Sequence, residues 1–284
     1  GGENPAAAQS TTEEFNGGVA TGAWVTGGNM NTARGRAGDA GTRTSALVFG
    51  GELTSGAATA TELYSGTVWV EVNDLNTATR QVAGTGTSTA ALAFGGETPG
   101  AASEDKTELW NGYVWAEVND LNKARYGVAV EGTQTSALAF GGVSGDSSPE
   151  NAGFTREGKT ETWNGTSWTE VNDMNTRKSD TAGAGADNTA ALSASGKNPQ
   201  ATPTGILNAT ELWNGTNWTA VNDSNQRREG AGCVGTSTQS LIFGGYDESG
   251  DQTKATEVWN GTNWTEVNDQ NNTKSPKARF PESE

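Results

Sequence analysis

The chain has 284 residues, 32% of them apolar, with 40 Gly, 10 Trp, one Cys, no His and a formal charge of −16. That charge argues against a nucleic-acid backbone or an anionic membrane surface as partner, because both are held by cationic patches. Without His, the Ser-His-Asp, Cys-His and His-ligated zinc arrangements are excluded, and the single Cys233 excludes an intrachain disulfide and is expected as a small core residue.

The predicted elements repeat. A Thr-Glu pair places its Glu at Glu13, Glu62, Glu108, Glu161, Glu211 and Glu257, spaced by 49, 46, 53, 50 and 46 residues. Each copy has the same parts: T-E-L-W-N-G, a second Trp, V-N-D-x-N, a basic residue and a closing A-L-A-F-G-G. Such a period, built of short strand-like runs, predicts propeller blades that bury their apolar faces only against neighbours. The Gly and Thr content suits turn-dense strands, and helices are expected to be nearly absent.

In chain order, Gly1-Gly2 and the nine residues before Thr12 match Gly50-Gly51 and the nine before Thr61. The chain therefore reads as starting inside a blade whose outer hairpin spans about Thr12 to Val25. Its Gly-Gly start predicts a processed chain or one excised from something longer. Complete blades follow at about 31–73, 76–119, 122–172, 175–222 and 225–268.

The third copy shows the pattern most cleanly. Arg125 to Val130 and Thr135 to Gly142 read as an inner hairpin, and Thr160 to Trp163 with Ser167 to Val171 as an outer one. Asn164-Gly165 between the outer strands predicts a type I′ turn. In the tail, Lys277-Ala278-Arg279-Phe280 reads as an inner strand of the split blade, 1–30 plus 269–284.

The expected fold is thus one all-β domain over 1–284, a propeller of four-stranded antiparallel blades, with six blades preferred over five. The split blade lacks an A-L-A-F strand, which leaves an edge for another copy or another protein. No apolar run approaches the length of a membrane span, so no membrane insertion is expected.

The unit resembles a kelch repeat, with its Gly-Gly doublet closing the second strand, an aromatic in the third and a Trp opening the fourth. Its W-N-G-T-x-W-T-E-V-N-D wording is similar to kelch-like virion and surface proteins of marine phages and bacteria. The resemblance implies a structural or host-contact component. Departures are the third-strand Trp, the short spacing to the fourth-strand Trp, and Ser193-Ala194-Ser195-Gly196 in place of Phe-Gly-Gly.

Several repeated features have chemical potential. Asp74, Asp120, Asp173, Asp223 and Asp269 of V-N-D-x-N are calcium candidates, but one carboxylate per copy falls short of a calcium shell, and Asx turns explain them better. The six Glu with Arg34, Arg80, Arg125, Arg177 and Arg227 read as architecture, since a catalytic pair need occur only once. Trp69, Trp115, Trp168, Trp218 and Trp264 read as wedges between blades, with sugar-stacking platforms as the alternative. The Asn-x-Thr triplets coincide with turns.

What varies is one set of loops, 52–60, 97–106, 143–159, 197–209 and 246–255, all on one face by strand alternation. Binding residues concentrate on such loops. The candidates are Asp146, Glu150, Asn151, Phe154, Arg156, Lys197, Asn198, Gln200, Tyr246 and Asp247.

The sequence therefore predicts a non-enzymatic propeller of a virion or extracellular surface, without an obligatory cofactor. Its expected partners are other structural proteins of a larger assembly or host-surface glycans. A polysaccharide-active enzyme using paired carboxylates, or a multivalent lectin, is the alternative.

Overall fold

The structure, a computed structural model, describes residues 3–4, 7–8, 10–16, 23–145 and 155–270. Five four-stranded antiparallel blades make up the body of the molecule. From the axis outward, blade 1 holds Gly38–Thr42, Ser45–Phe49, Thr61–Tyr64 and Trp69–Val72. Blade 2 holds Ala83–Thr87, Ala90–Phe94, Thr107–Trp110 and Trp115–Glu117. Blade 3 holds Ala129–Thr133, Ser136–Phe140, Thr160–Trp163 and Trp168–Val171. Blade 4 holds Ala182–Asp187, Ala190–Lys197, Ile206–Trp213 and Trp218–Ala220. Blade 5 holds Gly232–Gly235, Ser240–Phe243, Thr256–Trp259 and Trp264–Val267.

The expectation of six blades is therefore corrected to five. The remaining Thr-Glu copy contributes only a two-stranded ladder, Glu13–Asn16 with Ala23–Thr26. The residues ahead of it pair among themselves, Glu3–Asn4 with Ala7–Ala8, so among the described residues no inner strand completes a blade there. The tail strand expected at Lys277 to Phe280 lies outside the described residues.

The core lies between blades, because each sheet is apolar on both faces. Phe49 of blade 1 stands 4.8 Å from Trp115 of blade 2, Phe94 stands 4.6 Å from Trp168, and Phe140 stands 4.9 Å from Trp218. Trp115, Trp168, Trp218 and Trp264 are buried, which makes them wedges rather than sugar platforms. Near the axis the blades close almost to backbone contact: a Cβ on Gly84 would lie 2.7 Å from Asp39 O and 2.4 Å from the Phe49 ring.

Blade 4 solves the same packing differently. Ala194 replaces the Phe, and on the strand's other face the Thr181 and Ser193 hydroxyls meet at 2.8 Å where blade 3 carries Val128 and Ala139. The outer turns also differ from expectation. Gly165 takes φ +90° while Asn164 is absent from the positive-φ residues, so the turn is not type I′. Asn164 Oδ1 instead accepts from the Thr166 and Ser167 amides, both at 2.9 Å.

Candidate functional site

The repeated polar residues are engaged in the scaffold. The first Asn of V-N-D-x-N donates to the outer turn of the next blade, as Asn73 Nδ2 does to Tyr113 O at 2.7 Å and Asn119 Nδ2 to Thr166 O at 2.8 Å. The Asp caps its own blade: Asp74, Asp120 and Asp223 accept from the amides of Thr61, Thr107 and Thr210 at 3.1 to 3.2 Å. The second Asn binds the Glu of the next Thr-Glu pair. Asn122, for example, donates its amide and Nδ2 to Glu161 Oε2, both at 2.8 Å.

The other Glu161 oxygen accepts from Arg125 Nη2 at 2.9 Å, with both side chains fully buried. Arg34 with Glu62, at 2.6 Å, and Arg228 with Glu257 repeat this pair. Each arginine also donates to second-strand and loop carbonyls, as Arg125 Nη1 does to Gly141 O at 2.9 Å and Lys159 O at 2.7 Å. The expected set Arg34, Arg80, Arg125, Arg177 and Arg227 is correct in two blades and one residue early or late in the others. The inward position belongs to Thr79, Lys178 and Arg228, always three residues after the second Asn. Lys178 reaches Ala209 O at 2.9 Å, and burial pushes its ammonium down to about 8.

The residues just beyond this inward position differ from blade to blade, and they meet at the mouth of the axis. Gly35, Arg80, Tyr126, Ser179 and Glu229 bridge to Glu52, Glu97, Val143, Lys197 and Tyr246, the residues that follow each second strand's closing glycine. Next in chain come Arg36, Gln81, Gly127, Asp180 and Gly230, all at φ between +51° and +62°. Their backbones link neighbouring blades: Gln81 N to Arg36 O at 2.7 Å, Asp180 N to Gly127 O at 3.3 Å, and Gly230 N to Asp180 O at 3.0 Å. Three non-glycine residues thus occupy a left-handed conformation that costs on the order of 1 kcal/mol each.

Charge alternates along this mouth. Arg36 pairs with Glu52 at 3.0 Å, Glu52 with Arg80, and Arg80 with Glu97 at 2.8 Å. Gln81 Nε2 adds a bond to Glu97 Oε2 at 3.1 Å. On the far side, Lys197 lies 3.5 Å from Glu229, both buried. Tyr126 stands between the two halves, and burial, then the Glu97 charge, push its phenol above the usual range. A non-repeated, partly desolvated cluster of ionisable groups is where functional sites concentrate.

The loop candidates distribute unevenly. Arg156 is half-buried beside Tyr126. Lys197 and Tyr246 are buried in the mouth, and Asn198 is buried with its Nδ2 on Arg177 O at 2.9 Å. Gln200 is exposed at a turn, and Asp247 is half-buried, accepting from Ser249 N at 2.9 Å. Asp146, Glu150, Asn151 and Phe154 lie outside the described residues. The expected loop at 197–209 is shortened at both ends to 198–205, since Gly196 pairs with Leu207 and Lys197 with Ile206 beyond a bulge at Ala194/Gly196. Arg36, Gln81, Tyr126, Asp180 and Glu229 were not singled out by sequence reasoning, Arg80 was read as architecture, and Glu52 and Glu97 fell at the starts of variable loops without being named. Their signal was blade-to-blade difference beside fixed glycines.

Of the calcium candidates, Asp120 is also held by Lys106 at 2.9 Å and Asp173 faces Lys159 at 3.4 Å. Among the described residues no group of three or more His, Cys, Asp or Glu side chains is placed to hold a metal ion. Among the described residues no helix is long and apolar enough to cross a membrane.

No family model matches the chain, and no curated protein matches it. Among solved structures it is similar to the one described as "Structure of YjhT", with 12% identity and a TM-score of 0.72 over 94% of this chain and 99% of that one. At that identity the likeness concerns the β-propeller fold alone.

Proposed function

We propose that the chain is a non-enzymatic interaction propeller whose individual face, centred on the axial mouth, binds a partner presenting both charges in a fixed pattern. One observation carries this reading: the repeated Glu, Arg, Asn and Trp are engaged within the scaffold, while the residues that differ converge at one mouth in strained backbone. The acidic composition and the likeness of its wording to kelch-like surface proteins support a place on a virion or cell exterior, with structural proteins or host glycans as partners. The buried outer Trp favour polar recognition at the mouth over sugar stacking at the rim.

The test is an R36G/Q81G variant probed on a glycan array and by cross-linking to surface proteins. Lost binding with an unchanged melting temperature supports the assignment. Retained binding moves the site elsewhere. A second reading, a polysaccharide-active enzyme, draws on Glu97, Asp180 and Glu229 each being buried at a non-repeated position around the mouth. Turnover of a polysaccharide, abolished by Glu229→Gln, would establish it instead.

A further inference from the structure

Blade 2 is the one blade whose inward position carries no cation. Blade 1 reads Asn31-Thr32-Ala33-Arg34 and blade 2 reads Asn76-Thr77-Ala78-Thr79, so the two differ there by the last residue alone. Arg34, Arg125 and Arg228 each give Nη1 to two carbonyls and Nη2 to a glutamate. One carbonyl lies 16 residues after the arginine, and the other lies two residues ahead of the glutamate. In blade 4 the Lys178 ammonium takes the second of these, Ala209 O. The same places in blade 2 are Gly95 O, Lys106 O and Glu108.

Thr79 is too short to serve all three. Its hydroxyl stops 3.5 Å from Gly95 O, and a cavity of about 10 Å³ opens between Leu75, Thr77, Phe94, Gly95, Lys106 and Glu108. That is room for about one water-sized body. Glu108 is 4% exposed and accepts from the Asn76 amide and Nδ2, at 2.9 and 2.8 Å, and from the Thr77 amide at 3.0 Å. Among the described residues no cation pairs with it, and Lys106 gives its ammonium to Asp120 at 2.9 Å. A buried carboxylate without a counter-charge is costly, whereas Glu62, Glu161 and Glu257 each have an arginine. Thr77, Glu104 and Lys106 at the cavity wall are only half-buried, which leaves a way in from the face of the variable loops.

We propose that this cavity binds one monovalent cation close to water in size, ammonium or potassium, where the other blades place a side-chain cation. Glu108 Oε1 neutralises the ion, and Gly95 O and Lys106 O supply the carbonyls that the arginines use elsewhere. One carboxylate balances one charge, so a divalent ion, which calls for more carboxylates and six or more oxygens, does not fit. The bound ion closes blade 2 as Arg34 closes blade 1. This site follows from comparison among the blades and does not depend on the reading of the axial mouth.

The experiment melts the full chain in potassium, ammonium or tetramethylammonium chloride at one ionic strength, which holds screening constant while the third ion is too large for the cavity. Thr79→Arg, which gives blade 2 the residue of blade 1, serves as the baseline, because ion effects on the rest of the surface are common to both chains. Thr79→Lys, the residue of blade 4, takes that part if the arginine variant does not fold. The expected result is a melting temperature raised by potassium or ammonium, relative to tetramethylammonium, about 2–4 °C more in the natural chain than in the variant. The salt that gives the larger rise identifies the ion. Equal melting of the natural chain in all three salts, or a rise of the same size in the folded variant, would overturn the proposal and leave the cavity to water.

Discussion

Trp168 on blade 3 donates its indole N–H to Thr107 Oγ1 on blade 2 at 3.1 Å, while its ring meets Phe94 of the same blade at 4.6 Å. One side chain thus supplies both the apolar filling and a polar lock of that seam. Trp115 to Thr61, Trp218 to Thr160 and Trp264 to Thr210 repeat the bond at 3.0 to 3.2 Å. Replacing Trp168 by Ala is expected to cost about 3–5 kcal/mol. Thr107→Val, which orphans the buried indole N–H, is expected to cost about 1–3 kcal/mol. Urea unfolding measures both, and a Trp168→Ala loss below about 1 kcal/mol would remove the wedge from the account.

Glu161 gathers Arg125 and two donors of Asn122 at a fully buried position. Glu161→Gln leaves the Arg125 charge without its counterion and is expected to destabilise by about 3–5 kcal/mol. Adding Arg125→Met should recover part of that loss, because the uncompensated charge goes with it. A double variant as unstable as the single one would show that the carboxylate's bonds to Asn122, not the ion pair, dominate.

Lys178 offers a pH-dependent signature. Its folded value near 8 lies below the ordinary 10.5, with burial as the cause. Between those two values the unfolded chain holds a proton that the folded chain has released, so the Lys178 contribution to stability rises with pH across that window and is flat below it. The difference in unfolding free energy between the natural chain and Lys178→Arg, followed from pH 7.5 to 10.5, isolates this group. A flat difference would place the ammonium in water rather than in the seam.

Arg36 sits at φ +54° and pairs with a partly exposed Glu52. Arg36→Gly relieves roughly 1 kcal/mol of backbone strain and gives up a pair worth about as much or less. Stability should therefore stay within about 1 kcal/mol while binding at the mouth falls. Calorimetric melting separates the two, and a large loss of stability would make Arg36 a structural residue.

Much of the fold was legible because the repeat writes each element several times over. Thr-Glu, the paired Trp and the Asn-Gly turn each recur with fixed spacing, so the hairpins and the wedges could be read directly. The inward residue was misplaced in three blades because strand periodicity does not rank the adjacent pairs Arg177-Lys178 and Arg227-Arg228, and because blade 2 puts the neutral Thr79 inward with Arg80 beside it. Counting from Asn122 to Arg125 ranks them, since the Asn and the cation share one carboxylate. The blade number failed for another reason: a Thr-Glu signature marks an outer hairpin, and a hairpin is only half a blade. The axial mouth was hidden because its residues are brought together by rotation about the axis, which no linear spacing records.

The polar ties have a direction. Asn73, Asn119, Asn172 and Asn222 each wait for a carbonyl of the next blade 40, 47, 44 and 40 residues downstream, and Phe94 waits for Trp168 in the same way. During synthesis each newly emerged module therefore leaves the ribosome with its trailing side greasy and its amides unanswered, until the following module closes over them. Assembly is ordered by translation itself, and a truncated product exposes the same kind of adhesive side wherever the message is cut.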